Sequence, residues 1–248
     1  MSQLTSLSLF FPVYNEVALL EQTTTDAAKA IAQIGISDFE IILVDDGSSD
    51  GSSELADRLA DEVAGVRVVH HAVNGGYGAA LRTGFTSATK EWVLFTDSDG
   101  QFDVGDLARF LPSTEKFDVV LGFREGRKDH FGRKVNAKLW ALLVRMVLNV
   151  GVKDLDCAFK LIRRTALEDI MPLESDGAVI SAELLCKLKR ADHPFAQVGV
   201  QHFERTAGEA TGASLKVVAK AFVELVALRV KIHRVERVKR SAKSKVSH

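Results

Sequence analysis

Leu7-Ser-Leu-Phe-Phe-Pro-Val13 is an apolar run of strand length, and residues 17–34 follow with apolar side chains at Leu20, Ala27, Ile31 and Ile34. That spacing marks one face of a helix. Phe39-Glu-Ile-Ile-Leu-Val44 is again strand-like and stops at Asp45-Asp46-Gly47-Ser48-Ser49-Asp50, a run of turn and cap residues. A second helix is predicted over 51–64, then a strand at Val66–Val69. Asn74-Gly-Gly-Tyr-Gly78 opens a third helix reaching about Ala88, and Glu91–Thr96 reads as a fourth strand ending at Asp97-Ser98-Asp99.

Four strands alternating with three helices predict an α/β fold, a mostly parallel sheet flanked by helices. Ligands of such sheets bind beyond the carboxyl ends of the strands. Three polar clusters fall there: Tyr14-Asn15-Glu16, Asp45-Asp46 and Asp97-Ser98-Asp99. The alternation then weakens. Phe117–Gly122 reads as a strand, 123–134 as an Arg/Lys-rich loop, Lys138–Val150 as an apolar helix and Phe159–Ile162 as a short strand. A helix near 180–190, a strand at Phe195–Val200 and a long helix from about Ser214 complete the chain. We expect one domain over 1–212 and a basic amphipathic segment over 213–248.

The chain has 248 residues, 46% of them hydrophobic and 26% charged, which excludes disordered and fibrous classes. Net charge is −1, so nothing global points to nucleic acid. The sum hides an asymmetry: 216–248 carries ten Lys/Arg against two Asp/Glu, a +8 segment on a −9 body. Such a segment suits an anionic surface. Cys157 and Cys186 show no zinc spacing and are expected as reduced thiols. The first residues lack the basic start of a secretory signal, and no apolar run is long enough to span a bilayer, so an intracellular protein is expected.

Asp97-Ser98-Asp99 offers two carboxylates one residue apart, an oxygen donor set suited to Mg²⁺ or Mn²⁺ with substrate phosphate completing the shell. Asp45 and Asp46 can accept from a base edge or a ribose hydroxyl, whereas Asp50 fits a helix cap. The glycines of Asn74–Gly84, Gly76 among them, allow either close approach to a ligand or tight helix–sheet packing. The segment is neither a P-loop nor a dinucleotide fingerprint.

Together, Pro12-Val-Tyr-Asn-Glu16, Val44-Asp-Asp-Gly-Ser-Ser-Asp-Gly51, Asn74-x-Gly-x-Gly-Ala-Ala-x-Arg-x-Gly84 and Asp97-Ser-Asp-Gly-Gln101 resemble the family 2 glycosyltransferases of GT-A fold. Within them the chain resembles the dolichyl-phosphate mannose synthase-like, polyprenyl-phosphate sugar transferases, over about residues 7–212. The resemblance implies an inverting hexosyltransferase moving mannose or glucose from a GDP- or UDP-linked donor. It implies that Pro12, Tyr14, Glu16 and Asp45 or Asp46 hold base and ribose, with Gly76 and Ser98 in the donor-binding set. Asp97, Asp99 and Gln101 would hold the metal and diphosphate. Arg124, with Asp97 and Asp99, would act at the reacting centre.

On the acceptor side, Gly122–Lys134 carries five basic side chains in thirteen positions. By the resemblance Arg124, Arg127 and Arg133 would bind the phosphate of a polyprenyl or dolichyl phosphate, joined by Arg205 and Ser214. Leu139–Leu148 and the stripe Val218, Phe222, Leu225, Leu228 and Ile232 suit either core packing or a membrane interface. The expectation is peripheral association with the cytoplasmic face of a membrane, with a separate membrane subunit as a further partner. Two alternatives stay open: transfer to a carbohydrate hydroxyl, with Asp156 or Glu183 as general base, and a nucleotide-binding module without transfer.

Overall fold

The computed structural model describes residues 4–125, 142–177, 179–205, 224–225 and 227–230. The first half alternates as expected: β1 (Ser6–Val13), α1 (Leu20–Ile34), β2 (Asp38–Asp45), α2 (Ser52–Glu62), β3 (Val66–His70), α3 (Tyr77–Ser87) and β4 (Trp92–Phe95). Two 3₁₀ turns, Val104–Arg109 and Leu111–Ser113, fill a stretch where the pattern named no element. The chain continues through β5 (Val119–Arg124), a helix α4 described over 142–148, β6 (Lys160–Arg163), α5 (Arg164–Glu168), α6 (Val179–Arg190) and β7 (Phe195–Val200). The strand expected at Phe117–Gly122 runs later, to Arg124, because its pairing with β7 continues to Arg124 opposite Val200. Arg124 therefore closes a strand instead of opening a loop.

The sheet order is β3-β2-β1-β4-β6-β5-β7. All neighbours are parallel except at β6, which runs antiparallel to both β4 and β5. The parallel register Val13–Asp45 and the pair Phe10–Phe95 bring the carboxyl ends of β1, β2 and β4 to one edge. Each β1 side chain alternates faces: Phe10 joins one core layer, while Leu7, Leu9 and Phe11 join the other.

One packing contact fixes the glycine-rich segment. The Phe10, Phe85 and Phe95 rings cluster with centroids 5.0–5.7 Å apart. A Cβ on Gly84 would stand 2.2 Å from the Phe10 ring, so only glycine lets α3 lie this close to β1. At its other end, Gly78 meets the Ser175 carbonyl, 2.7 Å from where a Cβ would be. For these two glycines tight packing is the observed role. At the opposite edge of the sheet, Glu40 accepts from Ser8 Oγ (2.6 Å), Thr89 N (2.8 Å) and Arg67 Nε (2.8 Å).

Of the C-terminal segment, Leu225 and Leu228 are buried in the same core layer as α6. The apolar stripe there faces the domain at these two positions. Both cysteines are buried free thiols. No helix among the described residues is long and apolar enough to cross a membrane.

Candidate active site

The three clusters expected at the strand ends do meet. Ser98, buried, donates its hydroxyl to the Pro12 carbonyl at 2.9 Å, stitching the end of β4 to that of β1. Asp46 N donates to the Val13 carbonyl at 2.9 Å, joining β2 on the other side. Asn15 takes a left-handed backbone (φ 56°) and accepts from Ser49 N at 2.9 Å, while Asn15 N and Glu16 N donate to the Ser48 and Ser52 hydroxyls. Asp50 accepts from Ser52 N at 3.0 Å, but the helix N-cap is Gly51, so Asp50 serves one residue before the cap position expected of it. Tyr14 is left 45% exposed at the mouth.

Asp45 and Asp46 are both buried, and each carboxylate has protein partners. Asp45 accepts from Ser48 N (3.0 Å), Ser53 Oγ (2.6 Å) and His70 Nδ1 (2.7 Å). Burial alone would raise its pKa, but these donors outweigh it and hold the carboxyl below its ordinary range. His70 bridges to Asp57 at 3.0 Å through its other nitrogen. Two carboxylates on one ring overcome the ring's desolvation and raise its pKa. Asp46 accepts from Gly75 N (2.9 Å), Gly76 N (2.7 Å) and His71 Nδ1 (2.6 Å). Because a carboxylate only accepts, His71 carries a proton on Nδ1, and its Nε2 pairs with the Thr83 hydroxyl at 2.8 Å. Gly76 has φ 85°, so the loop that Asp46 pins is one that glycine permits.

Asp97 and Asp99 form the electrostatic centre. Burial, then the neighbouring Asp99 charge, push the Asp97 carboxyl up to about 7. Tyr77 donates its hydroxyl to Asp97 at 3.2 Å. Asp99 is also raised, chiefly by burial, although Gln101 N donates to it at 3.1 Å. A buried carboxylate whose charge is disfavoured by a neighbouring one is a group that a divalent cation would relieve. Among the described residues no group of three or more His, Cys, Asp or Glu side chains has metal-holding geometry. Two carboxylates by themselves are a donor set of the kind Mg²⁺ uses when water and substrate phosphate fill the rest of its shell.

Positive charge arrives from distant parts of the chain. Arg205 Nη2 donates to both Glu16 oxygens at 2.7 and 2.8 Å, and its Nη1 lies 3.5 Å from Asp99. Burial raises the Glu16 pKa in spite of that arginine. Gln101 holds the segment bearing Arg205: its side-chain amide donates to the Phe203 carbonyl at 3.0 Å, and Phe203 N donates to the Gln101 carbonyl at 2.9 Å. Arg124 forks onto Asp154 with Nε and Nη2 at 2.7 and 2.8 Å, so the two-pronged contact expected for a phosphate is made here to a carboxylate. Arg127, Arg133 and Ser214 lie outside the described residues. Of the two candidate bases, Asp156 is exposed. Glu183 is 1% exposed, accepts from Glu174 N and Ser175 N, and pairs with Lys187 at 2.7 Å. Those contacts make Glu183 a brace for residues 174–175.

Sequence reasoning missed Tyr77, His71, Asp154 and Lys160. Lys160 is 1% exposed, opposes Phe95 in the β4–β6 register and sits over its ring at 5.0 Å. A buried lysine two positions below Asp97 is visible only once β6 is placed. His202, edge-on to Phe102 at 5.2 Å, lies close enough to Asp99 to favour its carboxylate. No local pattern marks a lone histidine after a strand.

Glucosyl-3-phosphoglycerate synthase from Mycobacterium tuberculosis, in complex with Mn²⁺, UDP and glucosyl-3-phosphoglycerate, has a TM-score of 0.64 to this structure at 22% identity, covering 92% of this chain and 79% of that one. The same enzyme with Mg²⁺ and UDP gives 0.65 at 21% identity, covering 90% and 79%. The fold is thus GT-A. Undecaprenyl-phosphate 4-deoxy-4-formamido-L-arabinose transferase of Salmonella paratyphi B is 27% identical over 215 residues, 86% of this chain and 64% of that protein. The chain accordingly spans less than two thirds of that relative's length. With the strand-end clusters in place and residues 8–171 matching the model of glycosyl transferase family 2, the chain belongs to that family.

Proposed function

We propose that the chain is an inverting, divalent-metal-dependent hexosyltransferase that moves mannose or glucose from a GDP- or UDP-linked donor to a polyprenyl phosphate. The observation that carries this reading is the Asp97–Asp99 pair at the carboxyl edge of the sheet, with Asp97 held up to about 7 by burial and its neighbour's charge. Asp97 and Asp99 hold Mg²⁺ or Mn²⁺, with Gln101 beside them. When bound, that ion neutralises charge developing on the departing nucleoside diphosphate. Pro12, Tyr14 and Glu16 line the base and ribose side, while Asp45 and Asp46 shape it through the loops they pin. Gly76 and Ser98 complete the donor site.

A phosphate acceptor has its second pKa near ~6 and is already a nucleophilic dianion at neutral pH. No strong general base is needed, which agrees with Glu183 being taken up as a brace. Arg205 and Arg124, the latter anchored by Asp154, present charge to the acceptor phosphate, joined by Arg127, Arg133 and Ser214. In this reading residues 1–212 form the transferase domain. The basic 213–248 segment favours an anionic membrane at the cytoplasmic face, where a separate membrane subunit is a further partner. The relative's own name, a transferase to undecaprenyl phosphate, supports the acceptor class.

A second reading, transfer to a carbohydrate hydroxyl, rests on Asp156, an exposed carboxylate whose charge acts on Tyr77 beside Asp97. A donor panel decides between them: GDP-mannose, UDP-glucose and UDP-N-acetylglucosamine, each with a prenyl phosphate and Mg²⁺ or Mn²⁺. Turnover with one donor that survives Asp156→Asn supports phosphate transfer. Turnover found only when a carbohydrate replaces the prenyl phosphate, and lost in Asp156→Asn, moves the assignment to a hydroxyl acceptor. Nucleotide binding by calorimetry with no product leaves a binding module.

A further inference from the structure

Helix α4 has one face in the core and an outer face that is not polar. Val144 and Leu148 are buried, whereas Leu142 and Met146, one turn apart, are 51% and 66% exposed with Arg145 between them. Single exposed apolar residues are ordinary, but two on one short helix beside a groove are informative. Leu142 and Arg145 form one wall of an open groove of about 440 Å³, whose other wall includes Val150, Gly151, Val152 and Lys153. Among the described residues its lining is mostly apolar, with two cations and the Gln197 amide. Asp154, the next residue along, is turned away into the Arg124 fork. Lys153 Nζ stands 4.1 Å over the Phe123 ring, adjacent in sequence to Arg124 at the carboxyl end of β5. That strand lies two spacings from β4 in the sheet order, about 10 Å across.

We propose that this groove is a docking site for an anionic phospholipid of a bilayer, with Arg145 and Lys153 taking the headgroup phosphate and Leu142 and Met146 entering the acyl region. The charge and the exposed apolar pair together complement such an amphiphile. Docking here sets the bilayer against the carboxyl edge of the sheet, beside Asp97 and Asp99. The proposal names a lipid contact for the membrane-surface enzyme proposed above and so rests on that reading. Its main readout is vesicle binding and does not depend on sugar transfer.

The test is sedimentation of the full chain with vesicles of phosphatidylglycerol and phosphatidylcholine, against phosphatidylcholine alone. The pair Arg145→Glu/Lys153→Glu should weaken binding to the anionic vesicles by at least about tenfold. Leu142→Asp/Met146→Asp should do likewise even with 229–248 intact. All four side chains are replaced on the surface, and unchanged nucleotide affinity by calorimetry confirms the fold. Anionic-vesicle binding equal to wild type in both variants overturns the proposal, as does wild-type protein that ignores anionic vesicles. Binding that appears only when polyprenyl phosphate is added, whatever the phosphatidylglycerol content, also overturns it and gives the groove to the acceptor. Vesicle binding lost in the variants while no sugar transfer is found keeps the docking site and sinks only the catalytic reading.

Discussion

Replacing Asp97 by Asn should stabilise the metal-free protein while destroying its function. The ordinary carboxyl value of 3.8 is raised to about 7 at Asp97, so above neutral pH the folded state holds a carboxylate it would sooner protonate. That difference corresponds to about 4 kcal/mol of destabilisation at high pH. Asp97 is not sealed from water, so about half is the realistic figure, some 2 kcal/mol. For a domain of this size that is a rise in Tm of about 4–8 °C. The sign follows from linkage: the penalty is full above the raised value, shrinks as pH falls below it and vanishes below the unfolded value. At pH 5 the gain should therefore drop to about 1 kcal/mol or less. Asn keeps an oxygen to accept from Tyr77, so the change is electrostatic. The assay is thermal denaturation of both proteins in EDTA at pH 8 and pH 5, with Mn²⁺ titrated at pH 8. An Asn variant that melts lower than wild type at pH 8, or gains equally at both pH values, refutes the account of a repelling carboxylate pair.

At the opposite edge of the sheet Glu40 behaves in reverse. Burial would raise it, but donors from Ser8, Arg67 and Thr89 bring it down to about 2, so its stabilisation is present above 4.5 and is lost as pH falls towards 2. Glu40→Gln should cost about 2 kcal/mol at pH 7 in denaturant unfolding and converge on wild type near pH 2. A pH-independent difference would contradict the assignment. Gly84→Ala forces a methyl into the Phe10 ring and should cost about 1–3 kcal/mol, lowering Tm without a compensating gain in helix propensity. A neutral result would mean α3 is free to move off β1. His71→Ala removes the donor that fixes Asp46 and the Gly75–Gly76 loop, and should raise donor KM by about tenfold with kcat little changed. His71→Asn, which retains a donor of similar reach, should recover part of it. Equal KM in the alanine variant would detach that loop from the donor site.

The strand–helix alternation, the parallel first half and the gathering of Glu16, Asp45, Asp46, Asp97 and Asp99 at one edge were legible from the chain. Each rests on local physics: apolar runs end where turn residues begin, and parallel strands send those ends the same way. Less visible were the partners. Arg205 lies 189 positions from Glu16 and yet forks onto it, while Arg124 pairs with Asp154 across 30. Spacing along the chain carries no record of such contacts, because each buried charge takes whatever opposite group the folded sheet brings within reach. The same rule separates carboxylates that read alike in sequence. Glu183 and Asp46 became braces since backbone N–H groups faced them, whereas Asp97 met another carboxylate and kept its unfavourable charge. Which acids brace the fold and which keep an unmet charge was settled by long-range packing, where hydrogen-bond donors are distributed without regard to sequence order.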